Sequence, residues 1–256
     1  MGLFKHYAAY YDLFYQDKDY AGEVEFVHHL LQNVAPGASS ILELGSGTGG
    51  HAEYLARKGY KVLGIDLSPT MLQQAKARCS RLPAAISSGV QFCCSDIRSF
   101  HCNIVYDAVI SLFHVFSYQT TNSDLVSTFE TAKRHLRTGG IFFFDFWYGP
   151  AVLTDRPTTR VKRLECNGLR LVRISEPFIN ANENLIDVKY QIIATDTASG
   201  TSTEFKETHR MRYLFRPELE HLCQDSGFEQ LAFGEWMTQR EPGFGSWYAY
   251  FIARKI

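Results

Sequence analysis

The side chains in this chain best placed for chemistry are polar groups that follow apolar, strand-like runs. Ile41-Leu42-Glu43-Leu44 runs into a turn with glycine at positions 45, 47 and 49, and Lys61-Val62-Leu63-Gly64-Ile65 ends on Asp66. Glycines spaced this way let a ligand approach the backbone and permit the positive φ of a tight strand-to-helix turn. Asp66 falls about twenty residues beyond the first glycine, where a nucleoside-binding βαβ unit places a carboxylate for ribose hydroxyls. Asp96 follows the run Val90-Gln91-Phe92-Cys93-Cys94 in the same way, and His114 and Tyr118 follow Tyr106 to Phe113. Asp145 lies in the next apolar run, Ile141 to Trp147. His114, Tyr118 and Asp145 are therefore the candidates for moving a proton. No His/Cys/Asp cluster has the short spacing of a metal site, and none of the six cysteines forms a C-x-x-C pair, so no metal is expected.

The elements that must position these groups alternate. His51 to Ala56 reads as a helix after the glycine turn; Ser68 and Pro69 open another as N-cap and first helical residue. A third helix is expected from caps at Ser123 and Asp124 to a stop at Thr138-Gly139-Gly140. Strands alternating with helices from 41 to 146 imply a parallel sheet covered on both faces, with ligands at the C-terminal ends of its strands. Ahead of it, residues 4 to 34 read as two helical pieces, the first crowded with tyrosines (7, 10, 11 and 15, with 20 close behind). Two readings stay open for these rings: a lid over a ligand, or an aromatic-rich helix packing on the sheet. From about 150 the pattern turns to period two, with a hairpin turn at Cys166-Asn167-Gly168 and alternating runs at Leu185 to Ile192 and Glu204 to Phe215. A helix over Pro217 to Asp225 and strands near 230–234 and 247–253 follow. The expected architecture is α/β, a doubly wound, mostly parallel seven-stranded sheet with an inserted antiparallel sheet of three or four strands. Its parts are 1–150 (lid helices and cofactor domain), 151–215 (insertion) and 216–256 (completion of the main sheet).

With 256 residues and 45% hydrophobic content there is ample core to bury. A formal net charge of −1 argues against a general nucleic-acid or membrane-surface binder and for a small-molecule partner. The start of the chain lacks the apolar core of a signal peptide and no apolar run is long enough to span a bilayer, so a soluble, cytoplasmic protein with free thiols, monomer or homodimer, is expected. Charge is uneven, however. Between 156 and 173, Arg156, Arg160, Lys162, Arg163, Arg170 and Arg173 stand against Glu165 alone. Such a set suits an anionic substrate such as a diphosphate, while any single arginine there reads more readily as part of a solvated hairpin face.

Glu43-Leu44-Gly45-Ser46-Gly47-Thr48-Gly49 resembles motif I of the class I S-adenosylmethionine-dependent methyltransferases; dinucleotide-binding folds use G-x-G-x-x-G instead. The resemblance implies S-adenosylmethionine as cofactor, its methionine part against the loop. It places Glu43, Gly45, Ser46, Gly47, Gly49, Asp66, Leu67, Met71, Asp96, Ile97 and Leu112 around that cofactor. Tyr11-Asp12 and Asp19-Tyr20 match a Y-D…D-Y pattern whose tyrosines, here Tyr11 and Tyr20, border it. Asp96 would accept from the adenine amino group, its other reading being an Asx turn. The methyl-transfer pocket would lie at His114 to Tyr118. The chain further resembles N-methyltransferases of nucleotide-linked amino-deoxysugars at Phe144 to Pro150, Thr208 to Phe215 and Pro242 to Gly245, departing from them at His114 and Phe116, where those enzymes often carry small residues. This implies a sugar-nucleotide acceptor, mono- or dimethylated on nitrogen, met by Trp147, Tyr148, Arg160, Arg173, Arg210 and Arg212. A small free amine or an oxygen nucleophile as acceptor, and a non-catalytic cofactor-binding scaffold, are the alternatives.

Overall fold

In a computed structural model of the protein, residues 7–166 and 168–256 are described; the Phe4 to His6 start of the first expected helix and Asn167 of the expected hairpin turn lie outside the described residues. The apolar runs become β1 (Ser40–Leu44), β2 (Lys61–Asp66), β3 (Val90–Cys94), β4 (Tyr106–Ser111) and β5 (Leu136–Tyr148). Among them stand α1 (Ala8–Phe14), α2 (Tyr20–Val34), α3 (Gly50–Arg57), α4 (Pro69–Cys79), the single turn α5 (Ala84–Ser87) and α6 (Asn122–Arg134). Strands β3-β2-β1-β4-β5 are parallel, and β11 (Tyr248–Lys255) then β10 (Phe228–Glu235) extend the sheet antiparallel beyond β5. This is the expected seven-stranded sheet. Alternate residues of β5 feed the two faces. Phe142, Phe144 and Phe146 pack with Phe129, Phe228 and Phe251, while Phe143 packs with Leu55, Val27 and Ile252 beneath α2 and α3. Each of these rings is essentially fully buried, worth about 1.5–3 kcal/mol apiece relative to exposure.

After the short helix α7 (Gly149–Thr154), strands β6 (Arg160–Cys166), β7 (Leu169–Asn180), β8 (Leu185–Asp196) and β9 (Ser202–Leu214) form an antiparallel sheet of four strands. It is joined to the main sheet where Trp147 and Tyr148 of β5 pair in parallel with Tyr213 and Leu214. Helix α8 (Arg216–Asp225) then leads back to β10.

Two boundaries depart from expectation. Helix α6 is capped by Thr121, whose hydroxyl accepts from Asp124 N while Asp124 accepts back from Thr121 N, and it ends at Arg134 rather than at the glycines. His135 ends it: the buried ring contacts Thr131 O through Nδ1 at 2.8 Å and accepts from Cys102 N through Nε2 at 3.0 Å, leaving Thr138-Gly139-Gly140 inside β5. Strand β4 stops at Ser111, two residues early, because Phe113 and His114 both turn left-handed.

Candidate active site

The glycine loop and the ends of β1, β2, β4 and β5 surround a cavity of about 460 Å³. The three loop glycines do different jobs. A Cβ at Gly45 would lie 2.3 Å from Val115 Cγ1, and one at Gly49 would lie 2.9 Å from Phe92 Cζ, so these two serve packing at positive φ. A Cβ at Gly47 would meet nothing within 4 Å, because Gly47 faces the cavity. Asp66 is set by the same loop: Oδ2 accepts from Gly47 N at 2.9 Å and Oδ1 from Ser68 N at 2.8 Å. Burial pushes its carboxyl up, opposed by those amides. As expected, Ser68 caps α4 by accepting from Met71 N, with Pro69 in the first turn. Tyr11, Tyr20, Gly45, Ser46, Leu67, Met71, Asp96, Ile97 and Leu112 line the cavity beside Gly47 and Asp66. The Asp96 carboxylate is also held by Arg98, at 2.9 and 2.6 Å, and accepts from Arg98 N at 2.9 Å, so both readings of Asp96 have structural footing.

Beneath the loop lies a charged cluster. Glu43 is 1% exposed; its Oε2 has no hydrogen-bond partner among the described residues, and its Oε1 is 3.8 Å from His51 Nδ1. Burial, with Asp66 adding to it, pushes the Glu43 carboxyl up to about 8. The other His51 nitrogen contacts Glu23 Oε2 at 2.7 Å, and Glu23 is bonded to Lys18. Burial pushes Glu23 up, but His51 and Lys18 outweigh it and hold the carboxyl at about 2. Burial pushes the His51 ring down, against the pull of Glu23. Among the described residues, Glu43 is thus a buried acid without a close cation; it lies behind the loop and does not itself line the cavity.

At the other end, Phe113 (φ 61°) and His114 (φ 62°) hold a conformation costing about 1–2 kcal/mol per non-glycine residue. Asp145 offsets that cost. Fully buried, it accepts from His114 N with both oxygens at 3.1 Å, a charged bond worth about 1.5–3 kcal/mol. His114 Nδ1 is also 2.6 Å from Asp145 Oδ2, but too misaligned for a hydrogen bond. Asp145 does not itself line the cavity. His114, Tyr118 and Trp147 do, with the His114 ring stacked on Tyr248 at 4.3 Å. Tyr118 Oη lies 2.8 Å from His209 Nδ1, on β9 of the inserted sheet.

The first helix packs on a sheet and also borders the cavity. Tyr7 stacks on Tyr190 and Tyr10 on Phe205, so α1 packs on the inserted sheet; Tyr7, Tyr11 and Tyr15 at the same time line the cavity. Asp12, half of the Y-D pattern, ties this helix to the loop by accepting from Thr48 Oγ1 at 2.6 Å and Arg78 at 2.7 Å. Asp19, the other half, caps α2 by accepting from Gly22 N.

The four arginines expected at the substrate are not brought together, and none lines the cavity; nor does Tyr148, which packs on Phe233. Arg173 is enclosed by Tyr7, Phe14, Tyr15 and Tyr190 and donates to the hydroxyls of Tyr7 and Tyr15. Lys162, beside it, donates to Phe14 O at the C-terminal end of α1. These two cations hold α1 and the residues at its two ends. Arg210 pairs with Asp187 on an exposed surface, and the buried Arg212 donates to Asn122 and Glu218. Strand alternation puts both on the face of β9 opposite His209 and Met211, and it is the latter pair that lines the cavity. Arg160 is exposed at the start of β6, close enough to Tyr248 to oppose the upward push of burial on that hydroxyl. Sequence reasoning missed His51, Tyr190, His209 and Met211; for the last three the one available signal was their in-phase spacing on the period-two runs of β8 and β9.

The site's chemistry suits S-adenosylmethionine. Two buried polar atoms at the loop, Glu43 Oε2 and Ser46 Oγ, lack partners among the described residues, Gly47 leaves room, and Asp66 is aimed by backbone amides. Residues 41–140 match the family model of a methyltransferase domain. The chain is 29% identical to a dTDP-3-amino-3,4,6-trideoxy-alpha-D-glucopyranose N,N-dimethyltransferase of Streptomyces venezuelae, over 84% of this chain and 86% of that protein. It is 28% identical to a dTDP-4-amino-2,3,4,6-tetradeoxy-D-glucose N,N-dimethyltransferase of Saccharopolyspora spinosa, over 74% and 72%. The solved structure of CalS10 with S-adenosylmethionine bound, an amino pentose methyltransferase from Micromonospora echinaspora, shares the fold with a TM-score of 0.75 at 23% identity, over 100% of this chain and 99% of that one. The chain thus has the fold of the class I S-adenosylmethionine-dependent methyltransferases and carries within it a match to a methyltransferase domain that spans the glycine loop, Asp66 and Asp96.

Proposed function

We propose that the chain transfers methyl groups from S-adenosylmethionine to the amino group of a nucleotide-linked deoxysugar. One observation carries this reading beyond the relatives: the cavity does not end at the cofactor loop but continues past His114 and Trp147 to Tyr190, His209 and Met211 of the inserted sheet. That second compartment presents flat aromatic faces and hydroxyls, the surfaces that suit a deoxysugar ring with few polar groups of its own. The cofactor brings an electrophilic methyl on a sulfonium, displaced in line. The chain's own residues then have mainly to align the acceptor and exclude water, and orientation alone is worth about 7–11 kcal/mol of barrier. Ser46, with Glu43 buried behind it, would take the polar methionine end, Asp66 the ribose hydroxyls, and exposed Leu67 with Ile97 the faces of the adenine. Asp145 fixes His114 rather than touching the acceptor, and α1 covers the compartment. Arg160, exposed beside Tyr248, is the one arginine of the four left to meet the nucleotide's diphosphate.

The test is a screen with purified protein and S-adenosylmethionine carrying a labelled methyl, across nucleotide-linked amino sugars, free amines such as glycine, and hydroxyl acceptors. Transfer confined to the nucleotide-linked amines supports the proposal. Efficient transfer to glycine or to a hydroxyl replaces it with one of the other acceptors, and cofactor binding with no transfer to any class favours the scaffold reading.

A further inference from the structure

We infer that Tyr118, His209 and Glu207 form a relay that carries the acceptor's proton into the inserted sheet. The inference rests on the amine reading above for the identity of the proton's source, but its geometry is independent of it. Tyr118 sits at the end of the short 3-10 turn Val115–Tyr118 and lines the acceptor half of the cavity. Its Oη is 2.8 Å from His209 Nδ1; His209 Nε2 is 3.4 Å from Glu207 Oε2, within ion-pair reach but too misaligned for a hydrogen bond. His209 and Glu207 are two residues apart on β9 and so share the face turned to the site. The other Glu207 oxygen is fixed by accepting from Tyr7 N at 3.1 Å.

The direction of transfer follows from charge and from donor and acceptor types. The negative charge of Glu207 on the Nε2 side favours the neutral tautomer that carries its proton there, which leaves Nδ1 to accept from the Tyr118 hydroxyl. Burial pushes the Tyr118 hydroxyl well above its ordinary range, with Tyr190, Tyr15, Asp66 and Glu207 adding to the effect, so the group works as a neutral hydroxyl. Among the described residues, the groups facing His209 include Tyr118, Glu207, and the rings of Tyr7 at 5.8 Å and Tyr190 at 4.9 Å. In the step, the acceptor's N–H bond breaks and its proton passes to Tyr118 Oη as the Tyr118 O–H bond breaks and that proton passes to Nδ1. The nitrogen keeps its electron pair for the methyl, and the imidazolium that results faces the Glu207 carboxylate. His209 and Glu207 act through Tyr118 and are positioning residues. The inserted sheet, on this account, contributes to the reaction as well as to specificity.

Two measurements test it. Nitrogen NMR of the ligand-free protein reads the His209 tautomer directly: Nε2–H is expected, with the Nδ1 signal moving in Tyr118→Phe. An Nδ1–H tautomer reverses the donor order and overturns the relay, whatever the acceptor turns out to be. In turnover, His209→Gln and Tyr118→Phe should each lower kcat by about 100-fold near neutral pH, the low end for general acid–base groups, with KM and cofactor affinity unchanged. The double variant should be no worse than the worse single one, and the loss should shrink as rising pH deprotonates the free amine. Glu207→Gln keeps the acceptor for Tyr7 N and so guards against misfolding; it should lower kcat by about ten-fold, at the weak end of such effects. Losses equal at every pH, additive in the double variant, or carried in KM mean that the three residues only brace the inserted sheet. Should the wild type methylate no amine at all, the functional proposal fails while the tautomer still decides the relay.

Discussion

On the proposal that the cofactor's ammonium group is bound against the glycine loop, cofactor binding should depend on pH through Glu43. Its carboxyl is buried, lacks a close cation and is pushed up to about 8, so it is mostly protonated in the free protein at neutral pH. A ligand that brings an ammonium group against the loop favours the ionised form, and binding below about pH 8 must therefore release a proton. Ionising the group at about pH 6 costs about 2.7 kcal/mol, so Kd for S-adenosylhomocysteine should be weaker there than above pH 8 by up to about a hundred-fold. Titration calorimetry across that range in two buffers of different ionisation enthalpy reads both the slope and the proton count. Glu43→Gln should flatten the slope and abolish the release. The same shift has a sign for stability: with the folded value raised above the unfolded 4.5, the contribution is full below 4.5 and is lost as pH rises through about 8. Ligand-free Glu43→Gln should therefore gain melting temperature over wild type more at alkaline than at acid pH. A Kd that is constant from about pH 6 to 8 in the wild type, with no proton exchanged, would refute the reasoning.

Gly47→Val should remain folded at a strain cost of about 1–2 kcal/mol but lose cofactor binding, whereas Gly45→Val, whose Cβ would lie 2.3 Å from Val115 Cγ1, should unfold at lower temperature. Retained binding by folded Gly47→Val moves the ligand off the loop. Asp66→Ala should weaken S-adenosylhomocysteine by more than about 3 kcal/mol, from two bonds to a charged acceptor, and an unchanged calorimetric Kd removes it from the site. Arg212→Ala should lower stability by about 2–3 kcal/mol in denaturant unfolding, from the loss of its buried bonds to Asn122 and Glu218, while Arg210→Ala costs at most about 1 kcal/mol. Neither should change KM; a raised KM for Arg210→Ala at unchanged stability returns that arginine to the substrate.

The cofactor half of the site was legible because it is built from local sequence. A glycine turn after a strand, a carboxylate at the end of the next strand and a Ser-Pro helix start each specify their geometry within a few residues, and Gly47, Asp66 and Ser68 stand where that logic puts them. The acceptor half was not, because it depends on which face of a strand points inward and on contacts between residues far apart in the chain. Arg210 and His209 are neighbours in sequence but on opposite faces of β9; charge drew attention to Arg210, whereas His209 lines the cavity. Likewise the basic run at 156–173 reads as an anion site, but two of its members, Lys162 and Arg173, are taken up by a helix about 150 residues earlier in the chain. His135 ended α6 before the glycines through a bond to Cys102 that no local propensity announces.

The most direct test is the product itself. A nucleotide-linked amino-deoxysugar incubated with the protein and S-adenosylmethionine, then fragmented in the mass spectrometer, should carry one or two added methyl groups, all on nitrogen, and none when Gly47→Val replaces the wild type. Methyl groups on a sugar oxygen, or no mass gain on any amino sugar while cofactor binds normally, would contradict the account.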